Sequence, residues 1–138
     1  MAHDSRFAVF EQKKRLWAIG SVHGALDKLQ AVHQAIAQRF MAGDAVLYLG
    51  NLLGHGPEVG ETLNEALRFR RMVILQDGAS LDDVVFLRGC QEEMLYKLRQ
   101  IAFARDPEAV LLWMQQQGID PTLTFYETSC ADGIAAAR

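Results

Sequence analysis

Ala45-Val46-Leu47-Tyr48-Leu49-Gly50, residues 45–50, is an unbroken apolar run that stops at a glycine. Such a run reads as a buried strand of a parallel sheet, because a half-wet strand would alternate apolar and polar residues. Similar apolar runs ending in glycine lie on either side of it. Leu16-Trp17-Ala18-Ile19-Gly20 precedes it and Val84-Val85-Phe86-Leu87-Arg88-Gly89 follows it. Between the first two runs, Leu26, Leu29, Val32, Ile36 and Phe40 recur at helical spacing, which predicts a helix over 26–40. Between the second pair, Val59, Leu63, Ala66 and Leu67 predict a helix over 58–71, and Asp77-Gly78 marks a turn. The order β-α-β-α-β defines an α/β fold, a parallel sheet flanked by helices. Right-handed crossovers make a doubly wound arrangement the expectation.

Further out the pattern changes. Residues 91–104 and 107–117 read as two successive helices, the second with Asp106 as N-cap, Pro107 at its first position and Gly118 at its end. Thr122-Leu123-Thr124-Phe125-Tyr126 reads as a strand. Residues 1–13 form a polar leader whose Phe7-Ala8-Val9-Phe10 patch would add an edge strand. Residues 14–129 form the domain, and the Ala-rich residues 130–138 form a frayed tail.

Composition narrows the function classes. Half of the 138 residues are hydrophobic and 22% are charged, which is ordinary for a folded globular domain. Seventeen acids against 14 bases give a formal charge of −3, so no basic excess points to nucleic acid or an anionic membrane. The basic clusters Lys13-Lys14-Arg15 and Arg68-Arg70-Arg71 read as solvated ends of elements. Two cysteines without a CxxC pair do not make a disulfide framework. No apolar run reaches the roughly 20 residues needed to span a bilayer, and no signal-peptide core is evident. A soluble, cytoplasmic protein is expected.

In open α/β sheets, ligands bind beyond the carboxyl ends of the strands. The three strand ends here read Gly20-Ser21-Val22-His23-Gly24, Gly50-Asn51-Leu52-Leu53-Gly54-His55-Gly56 and Arg88-Gly89-Cys90-Gln91-Glu92. In order, spacing and strand context, over roughly residues 14–127, they resemble the motifs GDxHG, GDxxDRG and RGNHE. These belong to the calcineurin-like metallophosphoesterases, and within them to the bacterial serine/threonine protein phosphatases. The resemblance implies the N-terminal half of that family's α/β/β/α sandwich. It also implies a site that in the family holds two divalent metals (manganese, iron or zinc).

Position by position, the chemistry of that site is missing. Ser21 and Asn51 stand where the family has aspartates. Gly54 and His55 replace an Asp-Arg pair, Cys90 replaces the asparagine ligand, and Gln91 replaces the histidine acid. Of the implied ligands only His23 matches, and no histidine follows position 55. Two cations need carboxylate charge that Ser21 and Asn51 do not supply. No metal, cofactor or catalytic residue is therefore expected, and a non-catalytic pseudoenzyme acting as a binding or assembly protein is the leading reading.

Two alternatives use the same residues. One is a phosphoesterase with a reduced metal site made from His23, His55 and Cys90, residue types that suit zinc. The other is a phosphate or phospho-ligand sensor whose strand-end N–H groups cradle an anion. Individual residues also have plainer readings. His23 would hydrogen-bond the strand-end backbone, Cys90 would be a small buried residue, and His33 would sit at the edge of its helix face. Glu92-Glu93 would serve the helix dipole. The half-sandwich implies an apolar sheet face covered by a partner, either a second copy or a different protein in a stable complex.

Overall fold

The computed structural model describes residues 8–10 and 13–127. β1 (Arg15–Ile19), β2 (Asp44–Tyr48) and β3 (Val84–Phe86) form a three-stranded parallel sheet in the order β1-β2-β3. The register pairs Trp17 with Val46 and Ile19 with Tyr48, then Val46 with Val84 and Tyr48 with Phe86. α1 (Leu26–Ala37) joins β1 to β2, and α2 (Val59–Ile74) joins β2 to β3 by way of a 3-10 turn at Leu81–Asp83. The α/β class and the parallel β-α-β-α-β order are as the sequence implies.

The doubly wound expectation is not met. Each new strand is added on the same side of the last, so crossovers of one hand place both helices on one face. Ile19, Val46, Tyr48 and Val84 turn to that face and pack with Leu29 and Ile36 of α1 and Ala66, Phe69 and Val73 of α2. The opposite face carries Leu16, Ala18, Leu47, Leu49, Val85 and Leu87, because side chains alternate along a strand. Leu16, Leu49 and Leu87 are 47%, 48% and 43% exposed. Ala45, which shares that face with Leu16, is fully buried, so the exposed apolar surface lies mainly toward the carboxyl ends of the runs.

After β3 the chain forms α3 (Cys90–Leu98), a 3-10 turn at Ile101–Phe103, α4 (Pro107–Gln116) and α5 (Asp120–Phe125). Met94, Leu98, Ile101, Leu111, Met114, Ile119 and Leu123 make a second, separate core. Asp106 caps α4 by accepting from the Ala109 N–H at 3.0 Å. The strand expected over Thr122–Tyr126 is instead the helix α5. Pro121 sits in its first turn, and burial of Ile119 and Leu123, four apart, follows a helical period. Residues 8–10 lie in no strand; the rest of the leader, apart from Lys13, and the tail with Cys130 lie outside the described residues.

Two acids, Asp44 opening β2 and Asp83 just before β3, fix the near end of the sheet. Asp44, fully buried, accepts from Arg15 at 2.7 and 3.1 Å, from the Trp17 indole at 3.0 Å and from the Met41 N–H at 3.1 Å. Burial works against its charge, but these donors outweigh it and hold its carboxyl below the usual aspartate range. Lys13 pairs with buried Asp83, which also accepts the Ser80 N–H at 3.0 Å. Lys13 and Arg15 are therefore tied to acids rather than free in solvent.

The core also holds a polar triad that sequence patterning misplaced. His33 is buried, not at a face edge. Its Nδ1 meets Glu65 at 2.6 Å, its Nε2 meets the Tyr48 hydroxyl at 2.7 Å, and its ring stacks on Phe69 at 3.9 Å. Glu65 in turn accepts from Arg68 at the surface. Burial lowers the His33 pKa from its ordinary 6.5, with Glu65 opposing the shift. Because the folded imidazole resists a proton that the unfolded one takes near 6.5, stability is full above that pH and falls as pH drops below it. Glu65 and Asp44, both held below their ordinary pKa values, add a further loss at lower pH. Urea midpoints measured across pH should decline from just below 6.5, and His33→Gln should flatten that first decline while leaving the later one. At neutral pH, Asp44→Ala should cost about 1–3 kcal/mol in urea unfolding, because it removes the buried acceptor shared by the Arg15, Trp17 and Met41 donors.

Candidate functional site

All three strand-end loops meet at the carboxyl edge of the sheet. The loop after β2 is the centre, and its backbone bends sharply. Gly50 has φ +92°, and a side chain there would overlap the backbone of Gly89. Asn51 follows with φ +56°, a left-handed conformation that asparagine tolerates better than most residues. Its carbonyl accepts the N–H groups of Val22 at 3.0 Å and His23 at 2.8 Å, tying the first loop to the second.

The third loop is tied in by side chains. The Glu92 carboxylate accepts the N–H groups of Gly89 (2.8 Å), Asn51 (2.8 Å), Leu52 (2.8 Å) and Leu53 (3.2 Å). The bond to Gly89 is the helix-start contact that a Glu three residues into a helix makes. The other three reach across to the neighbouring loop. The strand-end N–H groups that would cradle an external anion are thus filled by an internal carboxylate. Glu93, beside it, pairs instead with Arg88 at 3.1 Å and with Lys97 in the next turn. The hydrogen bond from Arg88 is the main cause holding its carboxyl below the usual glutamate range. The two glutamates have different roles, and the dipole reading describes only part of one.

Asn51 and Gln91 complete the junction. Asn51 Oδ1 accepts the Gln91 N–H at 3.0 Å, and Asn51 Nδ2 donates to Ser21 Oγ at 3.1 Å. The buried Gln91 carboxamide donates to the Gln117 carbonyl at 2.7 Å and faces His55 Nε2 at 3.3 Å. An amide nitrogen can only donate, so His55 Nε2 is the acceptor and its lone pair is engaged. A side chain at Gly54 would overlap this carboxamide. Gly54 itself donates to Thr122 Oγ1 at 2.9 Å, and His55 donates its backbone N–H to Gly118. Gln91, Gln117 and Thr122 therefore join the loop after β2 to the second core.

The sequence-derived candidates are brought together, but not as ligands of one centre. The rings of His23 and His55 meet edge to face, 4.9 Å between centroids. His23 Nδ1 donates to the Leu53 carbonyl at 3.2 Å, which leaves one lone pair, on Nε2. Cys90 is exposed rather than buried. Among the described residues no three His, Cys, Asp or Glu side chains are placed to share a metal ion. The donors present (one free imidazole nitrogen, a hydroxyl, two neutral amides and a carboxylate whose oxygens face four N–H groups) do not fit the pair of divalent cations that the resemblance implies.

Sequence reasoning did not find Glu92, Gln117 or Thr122 as junction residues. The spacing of Glu92 from Gly89 carried a signal for the first. Thr122 and Gln117 carried none, since their partners lie dozens of residues away. Among the described residues, no helix is long and apolar enough to cross a membrane. Comparison with protein families, with curated proteins and with solved structures finds no match to the chain.

Removing the Glu92 charge tests how much the junction holds. Glu92→Gln should lower stability by about 3 kcal/mol in urea unfolding, because an amide cannot accept all four bonds. Glu93→Gln, one residue along, should leave the midpoint where it is. Equal effects of the two substitutions would show that Glu92 acts only through the helix dipole.

Proposed function

We propose that this chain is a metallophosphoesterase-like pseudoenzyme, a non-catalytic protein that works by binding another macromolecule. The motif order supports the ancestry, and one feature of the junction supports the loss of chemistry. The strand-end loops are joined by Asn51, Gln91 and Glu92 to each other and to the backbone, so most polar groups of the junction hold the loops, the buried Gln91 Oε1 being left without a partner. A phosphoryl-transfer centre needs the reverse: anionic ligands free to hold cations, a positioned acid, and N–H donors open to the phosphate. Here the one charged acceptor is consumed, and Gln91 has no proton to give at neutral pH.

Metal content and turnover decide the matter together. The purified chain, incubated with Mn²⁺ and desalted, should hold well under one metal per chain. It should hydrolyse p-nitrophenyl phosphate no faster than the Gln91→Ala variant does. Stoichiometric metal together with turnover that this substitution abolishes would sink the proposal. Restoring carboxylates by Ser21→Asp with Asn51→Asp should produce no turnover, because Asn51 Oδ1 already accepts the Gln91 N–H and the other ligands remain absent.

A further inference from the structure

We propose that the open face of the sheet is a self-association surface, occupied by the same face of a second copy of this chain about a two-fold axis parallel to the strands. The inference rests on the reading of the chain as a binding protein and names its partner. On this face, the strand register sets out rows across the sheet. One row is Ala18, Leu47 and Val85, since Ala18 pairs with Leu47 and Leu47 with Val85. The next is Gly20, Leu49 and Leu87, in line with the bonds from Leu49 to the Ile19 carbonyl and from Leu87 to the Tyr48 carbonyl. Leu16 begins the face beside fully buried Ala45. No charged side chain lies within these rows, so the centre of the contact desolvates no ion.

The relief of the face is graded. β1 contributes small residues, Ala18 and Gly20, and a side chain added at Gly20 would meet open space. β3 contributes Val85 and Leu87, and β2 lies between with Leu47 and Leu49. A two-fold axis running along β2 lays β1 of one copy over β3 of the other. Leu87 then stands over Gly20 and Val85 over Ala18, while Leu47 and Leu49 each meet their own copies. Any isologous contact must be self-complementary in this way, and here the tall edge of the face matches its shallow edge.

The size also fits. Three strands about 4.8 Å apart, showing two or three residues each at two-residue steps of about 6.6 Å, give a face of roughly 15 by 15 Å. A polar rim one residue wide widens it to roughly 600 Å² per copy, or about 1,200 Å² for the pair, the lower edge of the range for specific dimers. A contact at that lower edge suits a reversible association.

Sedimentation equilibrium of the full chain from low to high micromolar concentration tests this. Wild type should pass from monomer to dimer across that range. Leu49→Lys with Leu87→Lys changes two exposed side chains, and should leave the circular-dichroism melt unchanged while holding the protein monomeric throughout. Leu75→Lys, which is exposed at the end of α2, should dimerise as wild type does. A wild-type chain that stays monomeric at high micromolar concentration overturns the inference. So does a folded double-lysine variant that still dimerises. Leu87→Ser introduces no charge and should weaken the dimer at least about tenfold; unchanged association in that variant overturns the inference as well. A dimer that nevertheless holds metal and hydrolyses phosphoester would support this surface while defeating the pseudoenzyme reading, so the two stand or fall separately.

Discussion

Four backbone N–H groups from two loops converge on the carboxylate of Glu92, and the arrangement at the strand ends follows from that convergence. Backbone donors bent away from a sheet have no ladder to join, and each left unpaired inside the protein costs on the order of 1–3 kcal/mol. Gly50 and Asn51 both take left-handed conformations, which swings the N–H groups of residues 51–53 to one side. That geometry is tenable only while something anionic sits at its focus. Glu92 reaches the focus because α3 begins at once after Gly89, placing its third residue over the loop. The loop shape and the helix start are thus one structural unit.

Two polar devices divide the work of holding the molecule together. At the near end of the sheet, Asp44 and Asp83 draw Arg15 and Lys13 inward and pin where the strands begin. At the far end, Glu92, Gln91 and Asn51 pin where they stop. Between these, the first core packs α1 and α2 on one face of the sheet, and the second core packs α3 to α5 on one another. Between the two cores, Phe125 of α5 lies against Gly60 of α2. Gln91, Thr122 and the Gly118 carbonyl carry much of the joint. Polar joints are directional, so they set an orientation that a slippery apolar contact would leave loose.

The sequence made the layout legible wherever a residue acts on neighbours near in the chain. Three apolar runs ending in glycine announced the strands, and the helical spacing of Leu29 and Ile36 announced the buried side of α1. The Asp106-Pro107 pair announced the start of α4. What stayed hidden depends on partners far along the chain. Nothing local distinguishes His33 from a surface histidine, since its burial is made tolerable by Glu65 and Tyr48 on other elements. Thr122-Leu123-Thr124-Phe125-Tyr126 has β-branched and aromatic text, yet among the described residues no strand lies beside it to pair with. Local propensity yielded to the second core, which takes Ile119 and Leu123 from one helical face. The motif glycines marked where the loops turn but not what fills them. That information lies in the fit of the Gln91 side chain against Gly54.

That fit bears on what substitution at such a site requires. A side chain at position 54 and the carboxamide at position 91 compete for one space, so neither can be changed alone without a clash or a void. An aspartate at 54 would need residue 91 to withdraw, and withdrawing Gln91 would leave the Gln117 carbonyl without its donor and His55 without its partner. Each change that reopens the pocket loosens the joint between the cores. The atoms that fill the space at position 54 are the ones that join the two cores. The surface that remains uncommitted is the far side of the sheet, where Leu16, Leu47, Leu49 and Leu87 satisfy no partner within the described chain and hydrophobic free energy stays unspent.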